Sequence, residues 1–185
     1  MKTRRLRIVL REVRPPVCRV VDVPASATLP ELHELLQAAL GWTDSHLHQF
    51  VTEGATYGMS LPDDWDVWPP DQRDETDARL ADLGASFTYL YDFGDGWTHD
   101  VEVLGAAGPV PGCVDGHGDC PPEDVGGVEG YAELLDALTD PDHDEHEQLR
   151  VWVGDRLRPF DATASTRGCG GWSARCPRRC GCCWT

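Results

Sequence analysis

Cys113, His117 and Cys120 fall within eight residues of one another in CVDGHGDC, and thiolate and imidazole are the side chains that zinc prefers. Folding can bring His46, His48 and His99 to the same place. A structural zinc takes four nitrogen or sulfur ligands, and a catalytic zinc takes three and a water. The spacing here, C-x₃-H-x₂-C, matches no standard zinc knuckle. The segment is therefore read as two thiols in a glycine-rich loop with no metal bound. Cys113, Cys120 and His99 are the ligands to examine should zinc be held.

Glu123 and Asp124 offer a second chemistry, since adjacent carboxylates can divide acid and base roles. After Pro121-Pro122, however, such residues more often fix a turn or cap a helix. Asp92, Asp95 and His99 in YDFGDGWTH suggest a carboxylate–imidazole couple. His143 and His146 sit in DHDEHEQ, where an acidic, solvated helix face explains them better than a ligand pair. The GDG triplet is not a phosphate loop, because it links two strands and no lysine or serine follows. The DFG triplet lacks every other kinase element.

Which of these groups can meet depends on the strands that carry them. In SFTYLYDFGDGWTHDVEVLG, residues 86–105, Phe87, Tyr89, Tyr91 and Phe93 alternate along one strand face. Trp97, His99, Val101 and Val103 alternate along the next. A two-residue turn at Asp95-Gly96 would put the two apolar sets on opposite faces. A three-residue loop, Gly94-Asp95-Gly96, puts them on one face and uses Gly96 at the left-handed position. That register predicts Phe93 opposite Trp97 and Tyr91 opposite His99. Asp92 then points away from His99, which reads as a core histidine.

The remaining elements follow from period and punctuation. Residues 5–13 alternate, Pro15-Pro16 breaks the run and Val17–Val23 resumes it, which predicts a hairpin. Thr28-Leu29-Pro30-Glu31 is a capping box, opening a helix whose stripe is Leu29, Leu32, Leu35, Leu36, Ala39 and Leu40 and whose end is Gly41. Short strands are predicted at His46–Thr52 and Ala55–Tyr57. Residues 59–82 are acidic and proline-interrupted and read as a surface insertion with a short helix near its end, its Trp65 and Trp68 stapling the loop to the body. A turn-rich stretch, GAAGPVPGCVDGHGDCPPEDVGG, precedes a helical stripe of Tyr131, Leu134, Leu135 and Leu138. Asp140-Pro141 then caps a last helix through about Arg150.

The order predicts an α+β fold with a strand-strand-helix-strand opening, β-grasp-like or a roll. Its sheet is largely antiparallel, with a long aromatic hairpin and two C-terminal helices. One domain spans residues 1–161. The tail, residues 162–185, holds five of the eight cysteines and four arginines but no acidic residue, and shows no period. It reads as a disordered, frameshifted end.

The whole chain carries a formal charge of −16. Residues 1–161 carry 12 basic and 32 acidic side chains, a net −20. Such a surface repels phosphate backbones, so no direct nucleic-acid binding is expected; the charge reads first as a source of colloidal solubility, and beyond that it fits a basic or cationic partner. The basic N-terminus runs straight into an alternating strand, not a signal peptide, and no apolar run has the length of a membrane span. The expectation is a cytoplasmic protein with no membrane partner.

GWTDSHLHQF (residues 41–50), YDFGDGWTH (91–99) and CVDGHGDCPPEDVGGVEGY (113–131) occur in this order. With these motifs the chain resembles the plasmid pRiA4b ORF-3-like family, some of whose members are labelled transposon passenger or TnpR-like proteins. The resemblance spans about residues 3–161 and implies a compact α+β fold with the same opening. Many members carry a cysteine where this chain has Val125, which removes one thiolate from any zinc set. Members also continue into a further helical piece where this chain has its tail. No serine- or tyrosine-recombinase constellation supports a resolvase. The reading is a non-enzymatic binding or accessory module associated with bacterial mobile-element genes, taking a protein or small ligand without a cofactor. Its site would be an aromatic cleft of Trp42, Tyr91, Trp97 and His99 beside the loop bearing Asp124. The alternative is a metal-dependent hydrolase using His99 with Cys113, Cys120 and Asp124 or Glu123. DNA association through a partner follows from the family labels alone.

Overall fold

The computed structural model describes residues 2–59, 72–157 and 159–160, so Trp65, Trp68 and the tail lie outside the described residues. The chain opens with β1 (Thr3–Leu10) and β2 (Val17–Pro24), an antiparallel hairpin around Pro15-Pro16. Helix α1 (Leu29–Leu40) follows, and its ends are built as its sequence demands. The Thr28 hydroxyl accepts the Glu31 N–H, and the Glu31 carboxylate accepts the Thr28 N–H at 2.9 Å. Gly41, with φ 84°, supplies the left-handed residue that ends the helix.

Next come β3 (His48–Val51), β4 (Thr56–Gly58), β5 (Arg73–Asp74) and two short 3₁₀ turns, Glu75–Asp77 and Leu80–Leu83. β6 (Ser86–Tyr91), β7 (Trp97–Ala106) and β8 (Gly112–His117) complete one sheet in the order β5-β4-β3-β6-β7-β1-β2-β8. Every neighbouring pair is antiparallel except β4 with β5. Helices α2 (Gly127–Thr139) and α3 (His146–Val153) close the described fold. This is the expected α+β class, with the expected opening and two C-terminal helices.

One face of the sheet is the core. Leu6, Ile8, Leu10, Val21, Phe50, Phe87, Tyr89, Tyr91, Trp97, His99 and Val101 all point into it. The stripe of α1 packs there too, with Leu29, Leu32 and Leu36 removed from solvent. Each such leucine is worth about 1.5–3 kcal/mol of burial, which outweighs any helix propensity in holding α1 in place.

Four expectations need correction. The aromatic hairpin pairs Tyr91 with Trp97 and Tyr89 with His99, two residues away from the expected register. The apolar sets still share a face, but the loop runs from Asp92 to Gly96 and leaves Phe93 exposed. Asp92 accounts for the longer loop. It takes a left-handed φ of 55°, its carboxylate Oδ1 accepts the N–H groups of Gly94 and Asp95, and its carbonyl accepts the Gly96 N–H. Secondly, the stretch read as turns contains β8, paired with β2 through a bulge. Thirdly, the end of the segment read as a surface insertion is core, since Glu75, Ala78 and Leu80 are buried. The last helix starts at His146, later than Asp140-Pro141 implied, and Asp140 instead ends α2.

Arg19 on β2 is buried. Its guanidinium donates to the carbonyls of Ala39 (3.0 Å), Cys18 (2.8 Å), His117 (2.9 Å) and Gly118 (3.0 Å), and lies 4.1 Å from the centre of the Phe160 ring. It thereby ties the C-terminal turn of α1 to the exit of β8. A cation among the last carbonyls of a helix also suits the helix dipole.

Candidate functional site

Three loops distant in sequence meet at one end of the molecule: Trp42–His46 after α1, Asp92–Gly96 between β6 and β7, and Pro121–Gly126 before α2. Their hydrogen bonds lock them to one another. The Trp42 indole N–H donates to the Pro121 carbonyl at 2.8 Å. The Glu123 carboxylate accepts the Tyr91 hydroxyl through Oε1, and the Thr43 hydroxyl and Thr43 N–H through Oε2. The Gly126 N–H donates to Asp95 Oδ2 at 3.2 Å. Gly127 permits this closure, because a Cβ at its φ of 70° would stand 2.7 Å from the Asp95 carbonyl oxygen. Glu123 is thus a clasp between loops, and its side chain is committed to that role.

Beneath the loops lie the rings expected to line a cleft, and the structure corrects that expectation. Trp42 is 6%, Tyr91 0%, Trp97 1% and His99 0% exposed, so no open aromatic cleft is formed. Trp42 stacks on Tyr91 with centroids 4.9 Å apart and meets His99 edge-on at 5.3 Å. These contacts make a rigid floor. The Tyr91 hydroxyl accepts the Ser45 and His46 N–H groups while donating to Glu123, and desolvation, reinforced by Glu123, drives its pKa upward.

His99 donates from Nδ1 to the Tyr89 carbonyl at 3.1 Å, and its Nε2 has no hydrogen-bond partner. Desolvation pulls its pKa down from 6.5 to about 4, so the native ring is neutral. The sign for stability follows. Above pH 6.5 neither state binds this proton; below it the unfolded chain takes one that the native chain refuses until about pH 4. Stability falls across that window, by about 3 kcal/mol when fully developed. His33, whose pKa is lowered chiefly by desolvation, acts in the same direction. His99→Leu should therefore lose less stability than the native chain between about pH 7.5 and about pH 4.5, measured by urea denaturation.

At the rim, the carboxylate–imidazole couple exists with His46 in place of His99. His46 Nε2 lies 3.2 Å from Asp124 Oδ1 and 3.5 Å from Asp92 Oδ2. Asp124 is largely exposed, Asp92 is nearly buried, and both take left-handed backbone, with φ of 63° and 55°. Such conformations in non-glycine residues collect at sites that something else over-determines. Asp44, with φ 57°, is a third.

A deeper cluster comprises His33, Asp44 and His48. His33 Nδ1 meets the Tyr89 hydroxyl at 2.7 Å and Nε2 meets Asp44 at 2.8 Å, while His48 Nε2 meets Glu75 at 2.8 Å. The two imidazoles stack 3.6 Å apart at 6°. A metal lies near the plane of each imidazole it joins, and parallel planes share no such point. The cluster is two stacked, buried imidazoles with separate hydrogen-bond partners, Asp44 standing at its exposed edge.

Cys113, Cys120 and His99, the ligands named for the case that zinc were held, are not brought together. His99 is paired with Leu10, Leu10 with Val17, and Cys113 with Val21, so three strands and four residues along the sheet separate Cys113 from His99. At standard sheet spacings that is on the order of 20 Å. The Cys120 thiol is pushed up to about 12 by burial, the opposite of what a metal-binding thiolate needs. Among the described residues, the groups able to converge on an ion contain no cysteine. A surface concavity of about 530 Å³ crosses the other face of the sheet beside Arg7, Asp100 and Glu102. There Arg7 pairs with Glu102 and Arg11 with Asp100.

Of the residues singled out from sequence, the structure brings Trp42, Tyr91, Trp97 and His99 together as the floor, and Glu123 and Asp124 together at the edge. His46 and Asp92 complete the rim, and their partnership was hidden because it depends on the hairpin loop's true length. The comparisons with known proteins agree with this fold. The chain is 45% identical over 159 residues to the uncharacterized protein y4hQ of Sinorhizobium fredii (strain NBRC 101917 / NGR234), covering 81% of this chain and 80% of that protein. A crystal structure of a protein of unknown function, MM3350 from Methanosarcina mazei Go1, superposes with a TM-score of 0.75 at 30% identity, covering 88% of this chain and 96% of the other. The family model of the plasmid pRiA4b ORF-3-like protein matches residues 2–167, and the chain belongs to that family.

Proposed function

We propose that this protein is a non-enzymatic binding module of mobile-element-associated bacterial genes, acting in the cytoplasm, and that it receives a positively charged group at the loop end. The observation that carries this reading is the convergence of Asp92 and Asp124, from two separate loops, on His46. Glu123, Trp42 and Tyr91 hold the loops rigid beneath it, so the rim is pre-organised for a ligand. The net charge of −20 over residues 1–161 favours the same class of partner and disfavours nucleic acid.

The test uses a short arginine-rich peptide and amide chemical shifts of the isotope-labelled protein. The reading expects shifts concentrated in residues 43–46, 92–96 and 123–126, strongly reduced by Asp124→Asn. That variant should melt within about a degree of the native chain, because an exposed side chain contributes little to the fold. Shifts centred instead on Asp100 and Glu102, or none, would remove the loop end as the binding face.

A further inference from the structure

We propose that His46, Asp92 and Asp124 together hold a divalent first-row transition cation, with its other coordination positions open. This rests on the loop end being the binding face, and names the cation it holds. The donor atoms already stand as ligands around a metal stand. Around an ion bound at about 2.1 Å, neighbouring ligand atoms are about 3.0–3.4 Å apart in octahedral or tetrahedral geometry. His46 Nε2 is 3.2 Å from Asp124 Oδ1 and 3.5 Å from Asp92 Oδ2, and all three donors lie within 4.8 Å of one another. A simple ion pair would align an N–H on one carboxylate. Here the buried Nε2 makes a directed hydrogen bond to neither.

The surroundings support each ligand. Asp92 turns Oδ2 to the site because its Oδ1 is held by the N–H groups of Gly94 and Asp95. The His46 backbone N–H is held by the Tyr91 hydroxyl, and Asp124 follows Glu123, which is clasped to Thr43 and Tyr91. Such outer partners orient the ligands and tune affinity. Two carboxylates balance a divalent charge. One imidazole among oxygen donors selects manganese, iron or zinc over magnesium and calcium. Three protein ligands leave room for water or for a ligand's donor atoms.

Mn²⁺ is the probe, because the chain's many thiols compete poorly for it. Titrating the untagged full-length protein and following free aquo-Mn²⁺ by electron paramagnetic resonance should show a single tight equivalent. His46→Ala, Asp92→Asn and Asp124→Asn should each weaken it by about tenfold or more. The asparagine at position 92 keeps the oxygen that caps the turn, and thermal melts verify that each variant is folded. Cys113→Ser and Cys120→Ser should leave the affinity unchanged. No Mn²⁺ uptake, or uptake indifferent to the three rim substitutions, would overturn the metal site. If the peptide-induced shifts then persisted at the rim, the metal alone would fall and the binding face would stand.

Discussion

Trp97→Ala is expected to leave the protein unfolded or barely folded at ambient temperature. The indole is 1% exposed, lies opposite Tyr91 across the hairpin and packs within 6.1 Å of the Trp42 ring. Removing it leaves a cavity that costs about 3–5 kcal/mol, against a total stability of about 5–15 kcal/mol for a typical domain. The floor beneath the three loops would go with it. Trp97→Phe separates packing from hydrogen bonding. The indole Nε1 has no partner, so phenylalanine should restore most of the loss, to within about 1–2 kcal/mol of the native chain. Urea denaturation of the two variants checks this. A tryptophan needed for its N–H would show the same large loss in both.

Arg19→Met is expected to be nearly as damaging, although it exchanges a buried charge for an apolar side chain of similar length. Such exchanges are often harmless where a whole ion pair is replaced. Arg19 differs, because its partners are four backbone carbonyls that stay behind. Leaving several of them without a donor costs about 3–5 kcal/mol in sum. Arg19→Lys keeps the charge but cannot span four acceptors with one ammonium, so its loss should fall between. Equal stability of the methionine variant and the native chain would show that the carbonyls find other donors.

Helix α1 was legible because its signals are local: a threonine, a glutamate three residues on, a leucine stripe and a glycine. The alternating β1 and β2 were legible for the same reason. β8 was not, because GCVDGH has the composition of a turn and becomes a strand only by pairing with β2. The hairpin register failed by two residues on β6, since Phe93 continues the apolar alternation although the Asp92 turn has already begun. Sequence alternation cannot show where an Asx turn cuts a strand short. The site suffered from the same error. Asp92 was turned away from the wrong histidine, and Glu123 drew attention as an acid when its carboxylate fastens Tyr91 and Thr43.

The order β7-β1-β2-β8 also governs when the loop end takes shape. The chain leaves β7, passes two strands and pairs only with the far edge of β2. β8 therefore has no partner until the first hairpin exists. The loop carrying Glu123 and Asp124 comes after β8 and can meet Trp42 and Asp95 only once that edge is closed. Contacts so distant along the chain form late, because their closure entropy is spent before they stabilise anything. The rim thus requires the β2–β8 edge to be in place. A partly folded chain in which β8 has not yet docked therefore lacks the clasp of Glu123 on Thr43 and Tyr91 that gives the loop end its shape.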